Sequence, residues 1–470
     1  MKIRFSKLLS VVLIILFVGL PCSRPSFAFS IGEERELGEK LLYSVRSTFP
    51  LLEDPDLVQY INKLGDEVLA VAGLQYFNYH FFLIKDDEFN AFAAPSGLIF
   101  FYSGLINSMN SEDELVSVLA HEIGHVAKRH LAGRVEKGKI IGAASLAVAL
   151  AALALGGGAA TQALLTSSLA AGQSANLHYS RKHEEEADLM AYGWLKTLKR
   201  DPHGQKTMLE TMRRVSRYRS DRLPQYLLTH PNPEFRLDYI DTLLKIDENE
   251  LTTHTIRDEF EFLRFKYRIM AETMDATVFR EHLISVLSDS RTTAFSKIMA
   301  KYGLSQLERH ANNYSSGQKL IEEVVEALPD KNLLLTDQGI LHFEAGEYVD
   351  ARILLEKGYN QNVSDMYSAF YLGKTYKALG DLKKAENLFK SVSYQMPEYS
   401  KVYFELGSIA SQQNQEMLSS LNLGKFYLYE GKIKLAKFSL NNVVKGKTTT
   451  ENMKIEAERF LETIEKLEEK

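Results

Sequence analysis

A spacing of 34 residues in the second half of this 470-residue chain restricts its fold more than any other feature. Gly339, Gly373 and Gly407 follow one another at this interval. The same interval separates three further pairs of positions: Gly346 and Gly380, Ala351 and Ala385, and Leu355 and Phe389. Such a period is typical of arrays in which each unit is a helix pair that cannot bury its apolar face alone. The pattern therefore predicts stacked helices with a concave groove from residue 251 onward.

The small residues at these positions make the region resemble the tetratricopeptide repeats, in which paired helices touch at such sites. Residues 294–303 and 320–329 are candidates for a divergent first repeat. The register slips later, because the pattern begins again at Gly424, only 17 residues after Gly407. We expect an extra unpaired helix around residues 411–420, where the slip occurs.

The first half contains one pattern with a clear chemical meaning, the HEIGH motif at residues 121–125. Residues four apart lie on one face of a helix, so the imidazoles of His121 and His125 can reach the same Zn²⁺. Glu122 then points toward a water bound to that metal. The motif predicts a zinc site in which Glu122 acts as the general base.

A helix is expected to carry this motif. Ser111 is followed three residues later by Glu114, an arrangement typical of the start of a helix. His130 follows the motif at a spacing that turns it away from the metal-binding face, and we expect it on the surface.

A catalytic zinc site takes three protein ligands and leaves one position for water. The candidate third ligand lies in the segment HEEEAD at residues 183–188. Glu184 and Asp188 share a helix face, so Glu184 could bind the metal while Asp188 fixes the tautomer of a ligand histidine. His183, Glu185 and Glu186 have suitable chemistry too, and spacing alone does not choose among them.

An HExxH motif followed some sixty residues later by ExxAD resembles the zinc metallopeptidases related to the CAAX prenyl protease and its bacterial relatives. This resemblance implies that Glu184 is the third ligand and that Asp188 supports a ligand histidine. Residues 230–237, HPNPEFRL, match the HPxPxxR(L) element of the same family. They imply that His230 lies at the metal and that Arg236, with Asp188, surrounds the ligands. His230 could occupy the open zinc position and hold the enzyme latent, or it could stabilise the oxyanion.

A third segment, NAFAAPSG at residues 90–97, is similar to the NAFA-P-G element of the family, with Ser96 where glycine is common. It implies an edge strand beside the cleft, with which an extended substrate would pair. The residues of this strand are Asn90, Ala91, Phe92 and Ala93. Further strands are predicted at residues 79–84 and 98–102.

The N-terminus has the layout of a secretory signal peptide. Lys2, Arg4 and Lys7 precede the apolar residues 8–20, and small residues lead to a cleavage site after Ala28. The only cysteine is Cys22, so a disulfide framework and a cysteine-ligated metal are excluded. A net charge of −5 gives no basic surface for nucleic acid. The chain is therefore expected to be exported.

Residues 140–155 are apolar and rich in alanine. As a helix they would extend about 24 Å, less than the roughly 30 Å of a bilayer core. We expect a buried or surface-seeking hairpin there, with peripheral membrane contact left open.

Together these features predict a mainly α (α+β) chain with three parts: a signal peptide at residues 1–28, a zincin-type metallopeptidase domain at 29–250 and an all-α tetratricopeptide solenoid at 251–470. The predicted function is that of an exported zinc endopeptidase with one Zn²⁺ per chain, whose repeats dock a client or partner. The resemblance implies a periplasmic location, misassembled outer-membrane proteins as substrates and the beta-barrel assembly machinery as a partner. Two alternatives remain: a chaperone or scaffold with a largely latent site, and a membrane-embedded protease that uses residues 8–20 and 140–155 as spans.

Overall fold

The computed structural model describes residues 30–136, 179–218, 224–248 and 258–468. The predicted signal peptide at 1–28 and the predicted hairpin at 140–155 lie outside these ranges. In the part of the chain that is described, each helix is too short or too polar to cross a bilayer.

The first part of the chain combines helices with one small sheet. Up to the first internal gap, the elements are α1 (Ile31–Thr48), α2 (Pro55–Val71), β1 (His80–Ile84), β2 (Ala91–Ala94), β3 (Leu98–Tyr102), α3 (Ser103–Ser108), α4 (Glu112–Ala127) and α5 (His130–Glu136). Beyond it lie α6 (Arg181–Thr197), α7 (His203–Tyr218), α8 (Gln225–Thr229) and α9 (Pro233–Ile246).

The three strands form a sheet in the order β1-β3-β2. β3 runs parallel to β1 and antiparallel to β2, so β2 is an edge strand. Between β2 and β3 the chain reverses within three residues, and Ser96 and Gly97 both adopt left-handed backbone angles, with φ of 66° and 84°. Glycine adopts this conformation at little cost, which explains why it is common in the similar sequence element at the position that Ser96 occupies here.

α4 begins where the sequence predicts, because the Ser111 side chain accepts a hydrogen bond from the backbone N–H of Glu114 at 3.2 Å. This helix is buried along most of its length between the sheet, α6 and α7. Gly124 allows α6 to approach closely, since a Cβ atom there would lie 3.2 Å from the Cα atom of Ala187. The two helices that carry the HExxH and ExxAD motifs are thereby packed against each other.

The second part is entirely helical within the described residues. Its helices are α10 (Phe260–Thr273), α11 (Ala276–Ser288), α12 (Ala294–His310), α13 (Tyr314–Ala327), α14 (Leu333–Glu344), α15 (Tyr348–Gln361), α16 (Met366–Ala378), α17 (Leu382–Gln395), α18 (Ser400–Gln412), α19 (Glu416–Tyr429), α20 (Ile433–Lys445) and α21 (Glu451–Glu468). The pairs α12/α13, α14/α15 and α16/α17 pack closely, as the 34-residue spacing predicts.

Glycines at the repeat positions are the points of closest contact inside these pairs. A Cβ atom on Gly339 would lie 2.8 Å from Leu355, and one on Gly373 would lie 2.7 Å from Phe389. The 34-residue period repeats a glycine in the first helix and a large apolar residue in the second because these two residues pack against each other.

The expectation of an extra unpaired helix at residues 411–420 is wrong. α18 is followed after three residues by α19, which packs against both α18 and α20. Gly407 faces Asn422 of α19, with 3.5 Å between its ideal Cβ position and that side chain, and Gly424 faces Leu440 of α20. The spacing slips because α19 is the second helix for α18 and the first helix for α20.

Several contacts join the first part of the chain to the second, and two of these depend on arginine side chains. In the first, here called the junction cluster, Arg264 and Arg268 of α10 form ion pairs with three aspartates: the partly buried Asp54 and the buried Asp56 and Asp337. Phe262, Phe265 and Ile269 of the same helix belong to the core formed around α4. The domain boundary at residue 250 stays a prediction.

The second contact lies farther along the array. Arg46 of α1 forms an ion pair with Glu398, just before α18, at 2.6 Å. The same guanidinium lies over the ring of Tyr429 in α19, 5.3 Å from its centroid.

Candidate metal centre

Three side chains from two helices converge at one buried point. His121 and His125 lie on the inner face of α4, and their Nε2 atoms are 3.0 Å apart. Glu184 projects from the first turn of α6, with Oε2 3.6 Å from His121 Nε2 and Oε1 3.5 Å from His125 Nε2. All three side chains are buried.

The outward-facing nitrogen of His121 is held by a carboxylate. Its Nδ1 atom lies 2.8 Å from Oδ1 of Asp188, one helical turn beyond Glu184. Arg236 of α9 donates two hydrogen bonds of 2.7 Å to Asp188, and its Nη1 lies 2.8 Å from Glu184 Oε2. The hydroxyl of Tyr239 also donates to Asp188. Arg236 thus holds the carboxylates of Glu184 and Asp188 in place against α4.

The electrostatics of the site favour the charge states that bind a cation. Burial alone would raise the pKa of Glu184, but His230 and Arg236 beside it hold that pKa well below its ordinary value. Arg236 and His121 lower the pKa of Asp188 in the same way, against the effect of burial. Burial holds the pKa of His125 well below its ordinary value, so its imidazole is neutral.

These residues fit a zinc ion. With the Nδ1–H of His121 directed at Asp188, its Nε2 lone pair points inward, toward the Nε2 atom of His125 and the carboxylate of Glu184. Electron pairs in such a cluster repel one another unless a cation lies between them. Two histidines and one glutamate are also a ligand set found at catalytic zinc sites.

Glu122 lies beside this cluster and is fully buried. Its Oε1 atom accepts a hydrogen bond of 3.4 Å from the hydroxyl of Tyr226. Its Oε2 atom has no hydrogen-bond partner among the described residues. A buried carboxylate with one unpartnered oxygen is available to accept a proton.

His230, at the end of α8, reaches the same point as the three other side chains. Its Nδ1 atom lies 3.3 Å from Nε2 of His121 and 3.2 Å from Oε1 of Glu184, and the potential ligand atoms of all four residues lie within 4.8 Å of one another. Burial would lower the pKa of His230, but the carboxylates of Glu184 and Glu122 outweigh it and raise that pKa. His230 is placed as a fourth potential ligand.

The expectation that His130 lies on the surface is wrong. The side chain is buried, and its Nδ1 atom is 2.9 Å from Nδ1 of His125. α4 ends at Ala127, and Arg129 takes a left-handed angle, φ 51°, so the chain turns and brings His130 back over the site. The sequence has no glycine at this turn to signal it.

Two aromatic rings that the motifs do not include also line the site. The ring of Tyr179 stacks on His125, with centroids 3.9 Å apart, and the ring of Tyr226 lies 4.4 Å from that of His230. Single tyrosines outside a recognisable pattern gave no signal in the sequence.

The predicted substrate strand, β2, lies beside the motif helix. Asn90 precedes it, and Ala91, Phe92 and Ala93 are buried where the strand packs on α4 and on β3. Its pairing with a substrate stays a prediction.

Comparison with known proteins agrees with this geometry. Residues 55–244 match peptidase family M48. The beta-barrel assembly-enhancing protease of Escherichia coli (strain K12) is 33% identical over 304 residues, which cover 64% of this chain and 61% of that protein. The chain thus spans about three fifths of the length of this relative.

Other matches cover shorter stretches of the chain. The mitochondrial metalloendopeptidase OMA1 of Schizosaccharomyces pombe is 30% identical over 210 residues, 44% of this chain and 57% of that protein. Among solved structures, the chain titled MamA MSR-1 C2 is 19% identical over 36% of this chain and 96% of its own, with a TM-score of 0.29. The similarity to peptidase family M48 extends over the strands and helices that build the candidate metal centre.

Proposed function

We propose that this protein is a zinc-dependent endopeptidase. The observation that carries the proposal is the convergence of His121, His125 and Glu184 next to the buried Glu122, which has an unpartnered carboxylate oxygen. One relative is named as a protease and another as a metalloendopeptidase, and these names and the match to a peptidase family support the same activity.

The side chains around the centre divide the work of amide hydrolysis. His121, His125 and Glu184 would hold one zinc ion, which supplies an acidified water and polarises the scissile carbonyl when it is bound. Glu122 takes a proton on Oε2 and later delivers it to the leaving amine. Asp188 and Arg236 keep the ligands oriented, since they contact His121 and Glu184 directly. Tyr226 steadies Glu122 through Oε1.

His230 acts in this proposal as a latch. A catalytic zinc needs an open position for water, and a fourth protein ligand would fill it. The Nδ1 atom of His230 lies as close to the cluster as the other ligand atoms do, which supports the latch over the oxyanion role. Displacement of His230 would open the site.

The client and location are further parts of the proposal. We infer that the chain acts in the periplasm on misfolded or misassembled envelope proteins, bound as an extended strand along Ala91–Ala94. The repeats would dock clients or the beta-barrel assembly machinery. The name of the enterobacterial relative and the edge position of β2 support these assignments.

The test measures zinc content and casein cleavage by the purified protein. Glu122→Gln should retain one zinc per chain and lose cleavage, because the fold and ligands remain but the proton acceptor is gone. His230→Ala should cleave casein faster than wild type. Undiminished cleavage by Glu122→Gln, or a wild type that binds no zinc, would contradict the proposed mechanism.

The fourth ligand also favours a second candidate function. A site closed by His230 is compatible with a chaperone or scaffold of outer-membrane protein assembly in which the repeats carry the activity. Suppression of client aggregation distinguishes the two, since a chaperone would remain fully active in Glu122→Gln. Loss of that activity together with cleavage would exclude the scaffold function.

A further inference from the structure

We propose that His130 and Glu186 form a positioning relay that sets the tautomer of the ligand histidine His125. The relay is a chain of two hydrogen bonds leading outward from the metal centre. His130 Nδ1 lies 2.9 Å from His125 Nδ1, and His130 Nε2 lies 3.0 Å from Oε2 of Glu186. This inference rests on the proposed zinc site. It adds His130, which lies outside both sequence motifs, and Glu186, which lies in the second motif without an assigned role.

The donor and acceptor of each hydrogen bond can be deduced by starting from Glu186, at the outer end of the relay. A carboxylate only accepts hydrogen bonds, so Glu186 requires the proton of His130 on Nε2. A neutral imidazole with its proton on Nε2 has a lone pair on Nδ1, which can only accept. His125 must therefore donate from its own Nδ1, and its Nε2 lone pair is left facing Glu184 and the centre.

The reverse arrangement would be incompatible with metal binding. A proton on Nδ1 of His130 would force His125 to accept at Nδ1 and to carry its own proton on Nε2, between the ligand atoms. The relay thus excludes the tautomer that cannot bind zinc.

The two ligand histidines are consequently oriented by different means. Asp188 contacts His121 directly at 2.8 Å, whereas the carboxylate that orients His125 acts through an intervening imidazole. Asp188 is fully buried, but the Glu186 side chain is 37% exposed. The relay therefore connects one metal ligand to the protein surface.

The surrounding structure holds the relay ring in place. His130 stacks on His183 of α6, with centroids 4.3 Å apart and planes 15° apart. The left-handed turn at Arg129 that delivers His130 is tied to α1 by a hydrogen bond of 2.8 Å from Arg129 Nε to Glu34. Residues from three helices, α1, α5 and α6, thus fix one ring beside His125.

The experiment compares zinc affinity in two substitutions of the relay histidine. His130→Phe fills the space without an acceptor, and it should weaken zinc binding about 10–100-fold in a chelator competition assay. His130→Asn places an amide oxygen near the position of Nδ1, and its affinity should stay within about threefold of wild type, on the order of the 0.6 kcal/mol that threefold represents. His203→Phe, at an exposed histidine whose ring contacts Asp201, is the matched control and should bind zinc as wild type does.

The outer end of the relay is tested in the same assay. Glu186→Ala should weaken zinc binding, because either tautomer of His130 then becomes available, and Glu185→Ala at the adjacent exposed position should not. Wild-type affinity in His130→Phe would overturn the relay. Equal losses in His130→Phe and His130→Asn would overturn it too, because packing and not the acceptor would then be responsible.

A second readout separates the relay from the proposed function. Imidazole ¹⁵N NMR of the zinc-free protein should show His125 protonated on Nδ1 in the wild type and in His130→Asn, with mixed tautomers in His130→Phe. A proton on Nε2 of His125 in the wild type would overturn the relay. Failure of the wild type to bind zinc would instead overturn the proposed function, and the NMR result would still decide the relay.

Discussion

Asp188 illustrates how single residues at the centre serve two neighbours at once. It accepts from His121 on one side and from Arg236 on the other, and all three side chains are buried. A buried charge is tolerated in a protein only when it is paired and hydrogen-bonded. The orientation of His121, a proposed metal ligand, and the neutralisation of the buried Arg236 therefore depend on the same carboxylate.

Asp188→Asn should weaken zinc binding about 10–100-fold, because the amide cannot accept from His121 and compensate Arg236 as a carboxylate does. Chelator competition measures this loss. Asp241→Asn is the matched control, since Asp241 forms only a partly exposed pair with Lys206 at 2.8 Å. An Asp188→Asn protein that holds zinc as tightly as the control would contradict the role given to Asp188.

At this scale the sequence was informative where a residue belongs to a helix-spaced motif. His121 and His125 were predictable because residues four apart on a helix share a face. Spacing also placed Glu184 and Asp188 on one face, but the choice of Glu184 over its neighbours came from the resemblance to the metallopeptidases. The position of His130 was not predictable, because it depends on the backbone angle of Arg129. Tyr179 and Tyr226 reach the site only through the tertiary fold, and no local spacing marks them.

Among the helices, the effect of replacing a glycine on stability depends on which atoms lie next to it. Gly373 of α16 touches the ring of Phe389, so α16 and α17 can pack only if position 373 lacks a side chain. Gly193 of α6 is exposed, and a Cβ atom there would have no atom within 4 Å. Both glycines are helical, so the same substitution isolates the packing contribution.

Gly373→Ala should lower the free energy of unfolding by about 1–3 kcal/mol through overpacking. Gly193→Ala should raise it by up to about 1 kcal/mol, because alanine favours the helix and meets no neighbour. Urea unfolding of the two variants beside the wild type measures both effects. Equal shifts of the same sign would show that helix propensity, and not contact with Phe389, determines the result.

The period of the array was predictable from sequence because it reflects a contact that recurs in α14/α15 and α16/α17, glycine against a large apolar residue. The slip after Gly407 was visible as well, but its structural cause was not. Deciding that α19 contacts both α18 and α20 requires knowing which face each helix turns to its neighbour. The spacing of residues along the sequence shows that a pattern restarts, but it does not show how many neighbouring helices pack against one helix.

For the molecule as a whole, the junction cluster joins helices of the first part of the chain to the array. Asp56 of α2 pairs with Arg264 and Arg268 of α10, and Arg264 pairs in turn with Asp337 of α14. Burial alone would raise the pKa of Asp56, but the two arginines outweigh it and lower that pKa below its ordinary value. The ionised form of Asp56 is therefore the one that stabilises the fold.

Asp56→Ala should lower the free energy of unfolding by about 3–5 kcal/mol at pH 7, because it leaves two buried guanidinium groups undercompensated. A carboxyl with a depressed folded-state pKa contributes its stability above the unfolded value near 4 and loses it as the pH falls through the folded value. The difference between wild type and variant should therefore shrink below about pH 4. Urea unfolding of the zinc-free proteins at several pH values measures it.

A matched control for this substitution is Glu468→Ala, which removes an exposed pair with Lys437 at 2.7 Å. Such surface pairs contribute less than about 1 kcal/mol. If Asp56→Ala costs no more than this control, or if its cost grows as the pH falls below 4, the junction cluster does not stabilise the molecule as described.

The pair of Arg46 and Glu398 attaches the array to α1 farther along the chain than the junction cluster, before α18–α21. In a solenoid each unit contacts mainly its neighbours, so a free array can stretch or twist along its length. The helix pairs between Arg264 and Glu398 are thus attached to the first part of the chain at both of these points. A force that separates those pairs would act on α1 and α2 as well as on the repeats.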